Sequence, residues 1–209
     1  MASKQSSRRI SILDRSISKG KNEINLSTFA LLFAEIVRYE QSRVNTIAEL
    51  QNKLSSFGGF VGSKLTDLIF FREKGYKREV KLLNMLLFIK TTFMKNVFGK
   101  EADKLERNSE NPRICRRQFL FLSSRDVLRF TCRFLDYIIE NDPLVNTFIS
   151  IPKDKGSLNV AAFTGGLIES VLKLNNFPCT VTTVWHNGTT YVIEFDEAVI
   201  VREKAGENK

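Results

Sequence analysis

Histidine, tryptophan, cysteine and proline are all scarce in this chain of 209 residues: one His, one Trp, three Cys and four Pro. Three cysteines, none in a C-x-x-C pair, do not make a disulfide framework or a zinc site and point to a reducing, cytoplasmic compartment. The one histidine, His186, has only Thr189 and Tyr191 near it by strand spacing, so it lacks the convergent partners of a general base or metal ligand. Long apolar runs are missing too. The best, Leu82 to Ile89, is interrupted by Asn84 and falls far below the roughly 20 residues of a membrane span. The opening residues, MASKQSSRRI, hold no apolar signal core. No G-x-G-x-x-G, P-loop, G-x-S-x-G or H-E-x-x-H pattern occurs. Asp103 and Glu106 are interleaved with Lys100, Lys104 and Arg107, the pattern of a solvated helix face. The expectation is a chain with no catalytic residue, no metal and no cofactor.

What is present is an ordinary globular composition, 43% hydrophobic and 26% charged, with 17 phenylalanines. The formal net charge of +9 is uneven. Residues 1–24 carry +4 and residues 112–133 carry +5, which leaves the rest of the chain balanced. Such a distribution describes solvated edges rather than a basic binding face, so no nucleic-acid partner is expected. An RNA contact through the Arg-rich segment is the reading that a steep salt dependence would rescue.

Residues 1–23 are polar and aperiodic and read as a flexible basic arm; with Ile10, Ile12, Leu13 and Ile17 it is a candidate membrane contact. Leu26 to Arg43 reads as a helix apolar around most of its circumference, which must be covered on more than one side. Thr46-x-x-Glu49 is a capping box opening a short helix to about Ser56, with Gly58-Gly59 as its end; Ser63 opens another to about Glu73. A long helix runs from about Val80 to Phe98, with Phe88 inside its polar stripe. Residues 114–133 fit neither period and stand apart as an insertion.

Alternation at Val145, Thr147, Ile149 and Ile151 predicts a strand stopped by Pro152. A helix follows to Leu174, with Gly165-Gly166 explained by close approach to a neighbour. Cys179–His186 and Thr189–Asp196 flank Asn187-Gly188, which predicts a hairpin with His186 opposite Thr189 and Val184 opposite Tyr191. Both faces of that hairpin are apolar and need cover. Residues 203–209 read as a polar tail.

Several of these runs resemble the TRAPP small-subunit family: Phe98 to Glu106 (FGKEADKLE), the block from Phe29 to Leu54, and Pro143 to Arg202. The resemblance spans about Glu23 to Asn111 and Phe134 to Arg202, and residues 114–133 have no counterpart in it. Joining Arg113 to Phe134 restores a familiar run, so the segment is a surface loop, a lineage-specific contact or a mis-predicted exon. The resemblance implies an α+β fold, a helical layer packed on a twisted antiparallel sheet, here over residues 24–202. It implies a core scaffold role in a vesicle-tethering complex that acts in ER-to-Golgi transport, peripheral at ER and cis-Golgi membranes. It also implies subunit 3-type and subunit 2-type neighbours, and a Rab-class GTPase whose nucleotide exchange belongs to the assembled complex. The family's subunit 3 acylation is not carried over, because this chain has no cysteine before Cys115. The partner-interface candidates are Phe29, Leu32, Phe33, Ile36, Phe88 and Trp185. The rival expectation is a self-contained α+β enzyme or small-ligand binder with an apolar pocket near Trp185.

Overall fold

The computed structural model describes residues 24–75, 77–108, 135–151, 156–186 and 188–207. The arm, the predicted insertion and Pro152 lie outside these described residues. Helix α1 (Leu26–Gln41) starts where Asn25 caps it, its Oδ1 accepting from the Ser27 N–H at 3.0 Å. Helix α2 (Ile47–Lys74) opens at the predicted capping box: the Glu49 N–H donates to Thr46 Oγ1 at 3.2 Å. The Glu49 carboxylate in turn accepts from the Asn45 N–H at 3.3 Å.

The expected break at Gly58-Gly59 does not occur. α2 is one helix of 28 residues, ended instead by Gly75 in the left-handed conformation, φ 54°. The glycines serve packing. α2 crosses helix α6 (Ala162–Leu174) so closely that a Cβ on Gly58 would lie 2.0 Å from the Phe163 carbonyl oxygen, and one on Gly166 would lie 1.9 Å from that of Ser55. Ser63, expected to cap a new helix, sits within α2 with its Oγ donating to the Phe60 carbonyl at 2.7 Å.

Beyond α2 the chain forms α3 (Leu82–Phe88), a π turn (Ile89–Phe93) and α4 (Met94–Phe98), closed by Gly99 at φ 75°. Strand β1 (Lys104–Asn108) follows, where a charged helix face was expected. Alternation explains it. Leu105 points toward the core while the Lys104 and Glu106 side chains are exposed, as suits an edge strand. Asp103 accepts the Asn141 N–H at 2.8 Å and so ties β1 to the end of β2 (Leu135–Glu140).

The predicted strand at 145–151 is a second correction: Leu144–Thr147 is a single helical turn, α5, capped by Pro143. That turn delivers the Asn146 Nδ2 to Asn159 Oδ1 at 3.2 Å and to Thr189 Oγ1 at 3.3 Å. The hairpin β3 (Cys179–Trp185) and β4 (Thr189–Phe195) is present, but shifted by one residue: Trp185 pairs with Thr189 and Thr183 with Tyr191. The loop holds three residues rather than two, with the His186 N–H donating to the Gly188 carbonyl at 3.0 Å. A one-residue slip flips side chains across the sheet, so Val181 joins Tyr191, Ile193 and Phe195 on the core face. Helix α7 (Glu197–Glu207) runs beyond residue 202, into the stretch read as a polar tail.

The sheet is antiparallel throughout, in the order β1-β2-β4-β3. α6 lies between it and α2, and every residue from Ala162 to Ile168 is buried. Gly165 faces the sheet at Thr183 and Tyr191, and Gly166 faces α2. The predicted helical layer on an antiparallel sheet is therefore the observed architecture.

Candidate subunit interface

The six candidate residues occupy three kinds of position. Phe33 is 2% exposed and stands against Phe163, ring centroids 5.3 Å apart, while Phe29 stacks on Phe33 at 5.8 Å and is half-buried. Phe88 is 4% exposed, its ring 4.6 Å from that of Phe70 and beneath the Lys74 ammonium. The polar stripe around Phe88 faces the end of α2, where Glu79 pairs with Lys74, so its neighbours line a cleft rather than open surface. Phe33 and Phe88 spend their surface inside this chain, and Ile36 lies at the margin, half-buried.

Leu32 is 60% exposed. So are two residues that the sequence reading did not single out: Leu31 at 71% and Tyr39 at 53%. At 100° per residue, Leu32 sits about 100° and Leu31 about 200° round from Phe33, so one short helix is apolar both toward the core and away from it. Leu26, at 51%, extends the face to the start of the helix, and Phe60, at 63%, stands out from α2. The Arg43 guanidinium lies over the Tyr39 ring at 4.2 Å, which dresses one edge with charge. The signal for Leu31 was in the sequence: an all-round apolar helix needs residues opposite Phe33 as well as beside it.

Trp185 is 48% exposed at the hairpin end, with its Nε1–H donating to the Leu158 carbonyl at 3.3 Å. Trp185 lines neither of two grooves, of 330 and 240 Å³, found among the described residues. The larger runs beside the glycine crossing among Ser55, Ser63, Gly166 and Ser170, and the smaller is floored by Phe88.

The buried ionisable groups are structural in their surroundings. Asp136 is buried on the core face of β2, and loss of water pushes its carboxyl up to about 6 although Arg107 lies 3.6 Å away. Tyr191 donates to Glu140 at 2.5 Å; burial raises both groups above their ordinary ranges. Burial likewise pushes the Cys179 thiol up to about 12, so it is not a thiolate nucleophile. No cluster of three metal-ligating side chains occurs among the described residues, and no helix among them is long and apolar enough to cross a membrane.

The described residues form a four-stranded antiparallel sheet covered by a closely crossed helix pair, an α+β fold with an apolar outer helix face. The model of the transport protein particle (TRAPP) component family matches residues 29–196, and the chain belongs to that family. The trafficking protein particle complex subunit 5 of Homo sapiens and that of Bos taurus are each 44% identical over 198 residues, covering 95% of this chain and 94% of theirs. The subunit 5 of Dictyostelium discoideum is 42% identical over 193 residues, covering 92% of this chain and 91% of its own. Among solved structures, a trafficking protein particle complex subunit 3 from Naegleria fowleri, covalently bound to palmitic acid, shares the fold. Its TM-score is 0.60 at 16% identity, over 84% of this chain and 98% of that one.

Proposed function

We propose that this chain is a subunit 5-type scaffold of a TRAPP vesicle-tethering complex acting between the ER and the Golgi, held peripherally at the cytoplasmic side of those membranes. Nucleotide exchange on a Rab-class GTPase is a property of the assembly, to which this chain contributes position rather than chemistry. The observation that carries the reading is the exterior of α1. Leu31, Leu32 and Tyr39 stay in water on a helix whose other side is already spent on Phe33 and Val37. Fully burying one such leucine is worth about 1.5–3 kcal/mol, so this face supplies much of the energy of a helix-to-helix contact. The occupant is a subunit 3-type neighbour, with a subunit 2-type neighbour on another face. The family relationship to subunit 5 proteins and the absence of an assembled catalytic group among the described residues support the same conclusion.

The test is co-expression with a subunit 3-type partner. Leu31→Glu and Leu32→Glu together abolish co-purification while the chain keeps its helical signal, because both side chains are exposed in the free subunit. A charge at Phe33 is a poor probe, since it unfolds the chain itself. Reconstituted complex lacking this chain loses exchange, and the chain alone has none. Unimpaired co-purification of the double variant overturns the docking assignment.

A further inference from the structure

We infer that the corner formed by the α2–α3 loop and the first turns of α3 is a contact for an anionic lipid surface. Val80 stands 81% exposed in that loop, between Lys77, Arg78 and Lys81, which are all exposed. Leu83 and Leu87, at 44% and 43%, follow on α3 as two exposed leucines one turn apart. From Val80 to Lys100 there are four lysines and no Asp or Glu; Lys95 and Lys100 pair with Glu101 and Asp103 at 3.4 and 3.7 Å, and Lys81 stands at this corner. The acid inside the loop, Glu79, is neutralised by Lys74, which holds its carboxyl below the usual range, and accepts from Asn84 at 3.5 Å. Glu203 of α7 reaches the same end but spends an oxygen on the Leu82 N–H at 2.8 Å. Lys77 and Lys81 have no ion pair among the described residues. Arg78 is exposed and donates to the Leu174 carbonyl at 3.3 Å.

An aliphatic tip ringed by cations matches the headgroup boundary of an acidic bilayer: the side chain enters the acyl margin and the cations meet lipid phosphates and carboxylates. On the helix the two exposed leucines span only about 6 Å of axis. That is short for the roughly 800 Å² per partner of a stable protein interface, and it favours a shallow membrane contact strengthened by the valency of a complex. This inference refines the membrane part of the proposed function and names a surface distinct from α1.

The experiment is flotation of the full chain, bound to its subunit 3-type partner, with phosphatidylcholine vesicles containing 30% phosphatidylserine and with pure phosphatidylcholine vesicles. Each cation near such a surface is worth about fivefold in partitioning. The triple variant Lys77→Gln, Arg78→Gln, Lys81→Gln is therefore expected to lose about a hundredfold, and Val80→Ser with Leu83→Ser at least tenfold, at unchanged melting temperature. Equal flotation of either variant and wild type overturns the inference. So does equal flotation with both vesicle types, or loss of all binding on deleting residues 1–23. Loss of partner co-purification with unchanged flotation also overturns it, because the corner is then a protein contact. Unimpaired partner binding by the α1 variants, with charge-dependent flotation intact, counts against the docking assignment alone.

Discussion

Two adjacent glycines on α2 should respond to the same substitution with opposite sign. A Cβ on Gly58 meets the Phe163 carbonyl oxygen at 2.0 Å and its carbon at 2.9 Å, backbone atoms that no rotamer change can move. A Cβ on Gly59 meets nothing closer than the Gly166 carbonyl oxygen at 3.8 Å, an ordinary contact. Alanine gains about 1 kcal/mol over glycine inside a helix. At Gly59 that gain stands nearly alone, so Gly59→Ala raises stability by about 0.5–1 kcal/mol. At Gly58 the helices must part by more than an ångström. Overpacking costs typically 1–3 kcal/mol, and here every contact along the crossing shares the displacement, so the net loss is about 2 kcal/mol. For a chain of this size that corresponds to a melting temperature about 4–8 °C lower. Urea unfolding of both variants beside wild type reads the difference directly. Equal stability of Gly58→Ala and Gly59→Ala refutes the argument that backbone contact at this crossing requires glycine.

Asp136 supplies a pH prediction. Its folded pKa, about 6, lies above the ordinary carboxylate value, so the protonated form is the stabilising one. That contribution is complete below about pH 4 and is lost as pH rises through 6, a change of about 3 kcal/mol. Asp136→Asn therefore flattens the stability profile between pH 4 and 7 and stabilises the chain at pH 8; an unchanged slope in urea titrations at several pH values counts against the burial argument. Tyr191→Phe leaves Glu140 without its buried donor and costs about 1–2 kcal/mol in the same assay, whereas a neutral result means the Glu140 carboxylate is satisfied elsewhere. Thr46→Ala removes the α2 cap and lowers stability by about 1 kcal/mol, and no loss would show that the Glu49 N–H is satisfied without it.

The sequence was most legible where one physical cause acts locally. The Thr46 capping box and the α1 helix both depend on residues within a turn of one another. It was least legible where distant segments decide. Gly165-Gly166 was understood as a close approach, yet Gly58-Gly59, the other half of the same crossing, looked like a helix end because nothing local reveals the partner. The hairpin was located but its register slipped, since the choice between a two- and a three-residue loop rests on the His186–Gly188 bond and the packing of Gly188 on Glu140 and Asn141. β1 hid among charges because only Leu105 reports its inner face. The run 145–151 alternated by coincidence, its conformation set by where Asn146 must reach. At the candidate interface, the surplus of apolar residues on α1 was plain from composition. Which of them turn inward became clear only once Phe163 was seen beside Phe33.

The central claim is that this chain exposes apolar helix surface reserved for neighbouring subunits. Sedimentation velocity on the purified chain, alone and co-purified with a subunit 3-type partner, tests it most directly. Alone, the chain should self-associate in a concentration-dependent way that Leu31→Glu with Leu32→Glu relieves, and with its partner it should run as one discrete complex. A monomer that stays monodisperse at every concentration and ignores the partner would contradict the account.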